Sequence, residues 1–510
     1  MMDNLEFMLL LLIAVFFILV AYLMYSFVKG KRGSDKLTPG DHFVLTDERR
    51  RSYPFNPFDN FLIYGGANSG KTKSIGKPLL EQYIMNGFAG LVYDYKDMDY
   101  TKTLYHFVEK HDYKPEVYSL NFFDLDYTDR TNPIKPGIIN RDVFLQIIGD
   151  VYDGTAPVET QQDFFYTSGK GLFRAVALYF YDKCPEFCTI PHIAQFICTV
   201  GRNRLFGLLE ILGGEYRTLG SSYCDNFGTE AFSNILSTVT NNLSLLAQNR
   251  RINYILSGDD FDFNLIDRDN PKLVSICNSY QIESILAPVI SAIFSVSSRA
   301  FKMDNPVRFF YLMDEATTFK ISDFERLPSV LREYKCSFTY LTQSASKIEK
   351  LFSKLDRASI EANFSNAFFG RTKDTEALKV YPLAFGKTDV KKVSRTRGES
   401  RGAETSSRTV SEIKEEVYDT REFTELKSGQ FICNVNSRKR YFKTRFTMYQ
   451  DKEAEPEIKR IITENDLYTC YKQTQSEVEE IINRFASQAD TYVLKMGQNT
   501  NQNTRMKEIN

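Results

Sequence analysis

Apolar and polar positions alternate along this chain with periods that change at recognisable places. Residues 7–28, FMLLLLIAVFFILVAYLMYSFV, are uncharged throughout. At about 1.5 Å per helical residue such a run spans a hydrocarbon core of about 30 Å, so a transmembrane helix is expected. A cleaved signal peptide fits less well: Asp3 and Glu6 precede the run without a Lys or Arg, and no small-x-small site comes before KGKR. Lys29, Lys31 and Arg32 place the C-terminal side in the cytoplasm and the N-terminus outside.

A polar linker is expected from 29 to about 59. Strand-like and helix-like segments then alternate as FLIYGG, SIGKPLLEQYIMN and FAGLVYDY, the opening of a parallel α/β sheet. From about Arg141 to Leu256 the apolar residues recur at helical spacing, as in FFYTSGKGLFRAVALYFYDK and FSNILSTVTNNLSLLAQN, which predicts a helical insertion. Strand signals return with KLVSICN, RFFYLMDEA, SFTYLTQS and NAFFGRT. Residues 391–416 read as an exposed loop, and GQFICNV with RKRYFKTRFTMY as a closing hairpin. After 450 the chain turns polar and acidic, then helical, and ends Asn/Gln-rich with the composition of a disordered tail.

The expected domains are therefore a membrane anchor over 1–31, a discontinuous nucleotide-binding domain over 32–140 and 257–450, an all-α domain over 141–256, and a C-terminal tail over 451–510. A chain of 510 residues exceeds what one core usually supports, in agreement with that division. With 64 basic and 65 acidic residues, no whole-chain attraction for nucleic acid exists, and any such contact must be local. The eight cysteines fit neither a zinc pattern nor a disulfide framework and are expected to be core thiols in a reducing compartment.

Gly65, Gly66, Ala67, Asn68, Ser69, Gly70, Lys71, Thr72 and Lys73 read GGANSGKTK and satisfy G-x-x-x-x-G-K-[ST]. The spacing has a mechanical reason. Glycines let backbone amides converge on phosphates, the Lys reaches the outer phosphate oxygens, and the Thr hydroxyl meets Mg²⁺ at a helix start. ATP and Mg²⁺ are the expected ligands. In RFFYLMDEA, Asp314 follows an apolar strand and is placed to hold Mg²⁺ through water, while Glu315 is placed to polarise an attacking water. Gln343, ending SFTYLTQS, sits where a RecA-like site senses the γ-phosphate; a polar loop residue is its plain reading. Asp94 with Lys96 and Asp97 forms either part of the site or a surface salt-bridge cluster. Arg332 and Arg371 are the two candidates for a cation supplied in trans.

Taken in order, GGANSGKT, YDYKD in the place of a DPKGE-like element, DFFYTSGKGLFRAVALYF, FDFNLI, LMDEA, LREYKCSFTYLTQSASKIEKLF and FFGRTKDTEALKVYPLAFGKT resemble the type IV secretion coupling proteins of the TraG/TraD class. The resemblance covers most of residues 1–450. It implies an α/β fold, a RecA-like P-loop NTPase domain with an inserted all-α domain and one N-terminal transmembrane helix, in the bacterial inner membrane. It further implies a homo-hexamer that passes single-stranded, relaxase-linked DNA to the inner-membrane components of a type IV channel, in contact with relaxase and relaxosome proteins. Lys71 and Thr72 would then bind phosphate and Mg²⁺, Asp314 and Glu315 would be the Walker B pair, and Gln343 the sensor. Candidate DNA contacts are the basic stretch KKVSRTRGESR and pore-facing loops. Two other cargoes fit a motor of this kind: protein effectors, or double-stranded DNA in the manner of an FtsK-like pump. A nucleotide-regulated scaffold that scarcely turns over is disfavoured by Glu315 and Gln343.

Overall fold

The computed structural model describes residues 42–155, 163–400, 403–436, 441–450 and 452–507. The expected membrane anchor lies outside these residues, and among those described no helix is long and apolar enough to cross a membrane. The described residues from Val44 onward form one compact unit.

Thirteen strands follow one another along the described chain: β1 Phe43–Thr46, β2 Ser52–Phe55, β3 Phe61–Tyr64, β4 Ala89–Asp94, β5 Glu116–Asn121, β6 Lys272–Cys277, β7 Phe309–Met313, β8 Cys336–Thr342, β9 Asn366–Phe369, β10 Lys387–Ser400, β11 Ala403–Glu416, β12 Gln430–Val435 and β13 Phe442–Arg445. Nine of them form one sheet in the order β13-β12-β9-β3-β8-β7-β4-β6-β5. From β9 to β5 every neighbouring pair is parallel, and β12 and β13 add an antiparallel edge. The parallel strands explain their own sequences. β3, β4, β6, β7 and β8 are buried at every position, so they read as continuous apolar runs rather than as alternation.

The expected strands FLIY, LVYD, KLVSIC, FFYLM, SFTYLT and NAFF all lie in this sheet, and the closing hairpin is β12–β13. Three segments differ from expectation. β5, EVYSLN, has no counterpart in the sequence reading; it is the sheet's outer edge, and only its last three residues are buried. Residues 43–55 are not linker: β1 and β2 pair, and between them Asp47 accepts hydrogen bonds from the Arg49 and Arg51 amides at 2.9 Å each and from the Tyr53 hydroxyl at 3.0 Å. The stretch 391–416 is not loop but most of the antiparallel ribbon β10–β11, in register from Lys387↔Glu416 to Ser400↔Ala403. The described ribbon side chains are mostly exposed, so no apolar face marks it in sequence.

Between β5 and β6 the described chain is helical from Arg141 to Leu256. Its main helices are Arg141–Thr155, Phe164–Lys183, Ile190–Thr199, Arg202–Leu212 and Glu230–Gln248. Asp163, Thr189 and Thr229 cap three of them by accepting from amides of the first turn. The helix Glu464–Lys507 runs through the Asn/Gln-rich stretch and docks on this layer. Leu467, Val478, Ile481, Ile482, Phe485 and Ala489 are its buried face, and His192 Nε2 lies 2.9 Å from Glu477 Oε2. None of the eight cysteines is in a disulfide; six are buried, whereas Cys198 is exposed and Cys470 half-buried, so the expectation of core thiols fails at those two positions on helix surfaces.

Candidate functional site

β3 lies in the middle of the sheet, and its C-terminal end opens into the GGANSGKT turn. The turn is held from three sides by backbone. Gly65 N donates to Thr342 O at the end of β8 (3.2 Å), Gly66 N to Arg371 O just past β9 (2.8 Å), and Gly429 N to Ser69 O (2.8 Å). The glycines are required by this packing. A Cβ on Gly65 would stand 2.3 Å from Ser69 Oγ, and one on Gly70, whose φ is +93°, would stand 2.6 Å from Gly429 N. Asn68 also takes a left-handed φ of 58°. Ala67 and Asn68 are exposed at the tip, and Ser69 is buried.

Thr72–Gly76 form a π-helical turn that continues into the helix Lys77–Met85. First-turn amides have no acceptor within their own helix, so this start presents donors to an anion. Lys71 is buried, and its Nζ donates to Gly65 O at 2.8 Å and to Glu315 Oε1 at 3.2 Å. Thr72 is half-buried beside the Tyr100 hydroxyl. Lys73 is exposed at the rim, and its carbonyl accepts from Tyr449 N at 2.8 Å.

Asp314 and Glu315 directly follow β7, which lies two places across the sheet from β3 with β8 between them. Asp314 is fully buried and neither of its carboxylate oxygens has a hydrogen-bond partner. Burial pushes its carboxyl up to about 6, against the pull of Lys96. Glu315 has a φ of 47°, an uncommon conformation for a residue with a side chain. Lys96, from the loop after β4, brings its Nζ to 3.7 Å from Asp314 Oδ2 and 3.9 Å from Glu315 Oε1. Two lysines therefore bracket two carboxylates. A buried carboxylate that accepts no hydrogen bond, on the same sheet edge as the Thr72 hydroxyl and a helix start, is a donor set that fits Mg²⁺ with a triphosphate: hard oxygen ligands for the ion, amides and ammonium groups for the phosphates.

The remaining expected residues are placed as follows. Gln343 is exposed directly after Thr342, so it stands next to the P-loop's own brace. Arg371 touches the P-loop of its own chain through its carbonyl; its side chain makes no hydrogen bond or ion pair among the described residues. Arg332 lies four residues before β8, at the opposite end of that strand from Gln343, and binds Asp59 at 2.7 Å. The structure thus brings Lys71, Thr72, Asp314, Glu315 and Gln343 to one edge of the sheet and leaves Arg332 at the other.

Asp94 is not part of a surface cluster. It is fully buried and accepts from Thr101 N and Oγ at 2.8 Å each, bracing the helix Asp99–Lys110; burial lifts its carboxyl to about 7. Lys96 is the member of that trio that reaches the site. Gly429 is the contributor that sequence reading missed: a lone Gly before a strand gives no hint of the loop it meets. Clefts of about 320, 420 and 570 Å³ lie elsewhere, the first behind β3 at Tyr64 and Glu361 and the last around Arg332. The site is therefore identified by its donor geometry and not by the size of a cavity.

Among solved structures, the chain is similar to the bacterial conjugative coupling protein TrwBdeltaN70 in an unbound form, with a TM-score of 0.63 and 15% identity over 83% of this chain and 93% of that one. TrwB in complex with ADP and Mg²⁺ matches with a TM-score of 0.60 and 15% identity over 78% of this chain and 87% of that one. TrwB with the GTP analogue GDPNP gives 0.60 and 15% over 78% and 88%. At that identity the likeness establishes the fold. No curated protein matches the sequence. Residues 31–489 match the profile of the type IV secretory system conjugative DNA transfer family, and the chain belongs to that family.

Proposed function

We propose that this chain is the ATP-hydrolysing coupling motor of a conjugative transfer system, tethered to the bacterial inner membrane by residues 7–28, with its body in the cytoplasm. It acts as a hexamer that takes single-stranded DNA from a relaxase complex and drives it towards the inner-membrane part of a type IV channel. Membership of the conjugative DNA transfer family supports the process. One observation carries the chemistry: Lys71 and Lys96 bracket the buried Asp314–Glu315 pair beside the P-loop.

The residues divide the work. Amides of Gly70 to Thr72 and the Lys71 ammonium hold the phosphates, and Thr72 with Asp314 would hold Mg²⁺, which would neutralise charge on the phosphate oxygens. Glu315 orients water for attack once Lys71 turns from its carboxylate to the phosphates. Gln343, on the strand between β3 and β7, reports whether the γ-phosphate is present. Arg332, on the far edge, could serve only a neighbouring copy's site. TrwB, solved with ADP and Mg²⁺, supports these ligands for the shared fold.

The test is hydrolysis by the full-length chain in detergent, with and without single-stranded DNA. Acceleration by DNA, lost in Lys71→Ala, is the expected result. Hydrolysis indifferent to DNA but stimulated by a secreted polypeptide would instead assign the motor to protein cargo.

A further inference from the structure

The sheet edge that carries the nucleotide site continues beyond it. Asp94 of β4 and Asn121 of β5 both pair with Cys277 of β6, so these three strands end level. β7 pairs with β4 through Met313↔Tyr93, which sets the Asp314–Glu315 turn beside them. The loops after β4, β6 and β5 therefore leave side by side, next to Glu315. Two aromatic side chains face water there: Tyr280, 72% exposed, and Phe123, 39% exposed. Arg251 fixes the second by donating from Nη1 to Phe122 O (3.1 Å) and Phe123 O (2.8 Å). Of the carboxylates on these loops, Asp124 accepts from the Asp126 amide at 3.2 Å and Glu283 from the Tyr95 hydroxyl at 2.6 Å, while Asp97 is exposed. What this surface offers a partner is π faces with a cation at hand, a combination suited to unpaired bases.

The same loop is wired to the site. Thr318 donates from N (3.1 Å) and Oγ (3.0 Å) to Glu315 O. Tyr93 OH lies 2.8 Å from Thr318 Oγ, and Asn278 Nδ2 donates to Tyr93 OH at 2.9 Å. Asn278 also donates its amide to Asp94 O at 2.9 Å and accepts from Ser279 N at 2.7 Å, one residue before Tyr280. With Thr318 donating to Glu315 O, Tyr93 to Thr318 and Asn278 to Tyr93, every hydroxyl proton has one acceptor. The chain is complete, and it ends on a backbone already held at a left-handed φ.

We propose that the 278–282 loop is a contact for single-stranded nucleic acid, Tyr280 stacking on a base with Phe123 as a second platform, and that Asn278, Tyr93 and Thr318 couple this contact to the Glu315 turn. The proposal rests on the DNA-motor reading above and deepens it. The experiment measures binding of a thymidine homopolymer and the ratio of DNA-stimulated to DNA-free hydrolysis in the full-length chain. Tyr280→Ala is expected to weaken binding roughly 5- to 100-fold, the worth of one stacked base, and Tyr280→Phe to restore it. Tyr93→Phe is expected to keep DNA binding and lose most of the stimulation; Thr318→Val cuts the chain at a half-buried position and serves if the first variant folds poorly. Wild-type binding in Tyr280→Ala would overturn the contact, and wild-type stimulation in both Tyr93→Phe and Thr318→Val would overturn the coupling. A wild-type chain that neither binds nor responds to the homopolymer would overturn the motor reading itself, and loss of polypeptide-stimulated turnover in Tyr280→Ala would give the loop to protein cargo.

Discussion

Lys71 Nζ stands 3.2 Å from Glu315 Oε1 although 244 residues separate them in the sequence. The pair joins the strand-to-helix turn after β3 to the end of β7 and holds both groups ready: an ammonium that phosphate would draw away, and a carboxylate that this departure would free. Lys71→Ala is expected to remove nucleotide binding and hydrolysis together. Glu315→Gln should keep binding and lower turnover by about 100-fold or more, since what it removes is the orientation of water at the transition state. Equilibrium binding of a fluorescent nucleotide beside steady-state phosphate release separates the two.

Gly70 and Gly429 meet backbone to backbone, and a Cβ at Gly70 would stand 2.6 Å from Gly429 N at a φ of +93°. Gly70→Ala should cost on the order of 1–3 kcal/mol in backbone strain and weaken nucleotide binding as well, because the turn itself must move. A melting temperature and nucleotide affinity equal to wild type would show that the loop relaxes freely.

Asp94 and Asp314 are pushed by burial to about 7 and about 6, from an ordinary value of 3.8. A carboxyl whose pKa is higher in the folded chain binds its proton more tightly there. Its contribution to stability is full below the unfolded pKa and is lost as pH rises through the folded one. Each tenfold change in proton affinity corresponds to about 1.4 kcal/mol. The nucleotide-free chain should therefore lose stability from about pH 4 to about pH 7. Asp94→Asn should flatten that slope in urea titrations across the window, and an unchanged slope would assign it to other groups.

Arg332 binds the buried Asp59, whose second oxygen accepts from Asn436 Nδ2 at 3.1 Å. Arg332→Ala is expected to destabilise the chain by about 1–3 kcal/mol through the carboxylate left behind. If Arg332 also completes a neighbouring copy's site, Arg332→Lys should fold normally and hydrolyse slowly. Mixing it with Glu315→Gln chains should then restore some activity, because each partner supplies what the other lacks. Normal hydrolysis in Arg332→Lys would confine the residue to its structural pair.

Ala489 on the C-terminal helix lies against Gly207, close enough that a Cβ there would stand 2.8 Å away. Ala489→Leu should overpack this contact at a cost of about 1–3 kcal/mol and loosen the helix Glu464–Lys507 from the helical layer. Limited proteolysis would report that release.

The buried parallel strands were legible because full burial demands unbroken apolar runs, and the P-loop because phosphate binding dictates its spacing. Legibility ended where long-range contacts decide. β5 is half apolar because it is an edge, β10–β11 has no core to face, and β1–β2 is ordered by one aspartate that collects the donors around it. Asp94 and Lys96 look alike in YDYKD as charged residues past a strand. The turn after β4 sends one inward to Thr101 and the other across to Asp314, and only the fold separates them.

Movement of DNA powered by this site would be read by displacement of streptavidin from the end of biotinylated single-stranded DNA. Displacement by the full-length chain is expected to require ATP and Mg²⁺ and to vanish in Lys71→Ala and in Glu315→Gln. Vigorous ATP hydrolysis with no displacement from either end of the strand would contradict it.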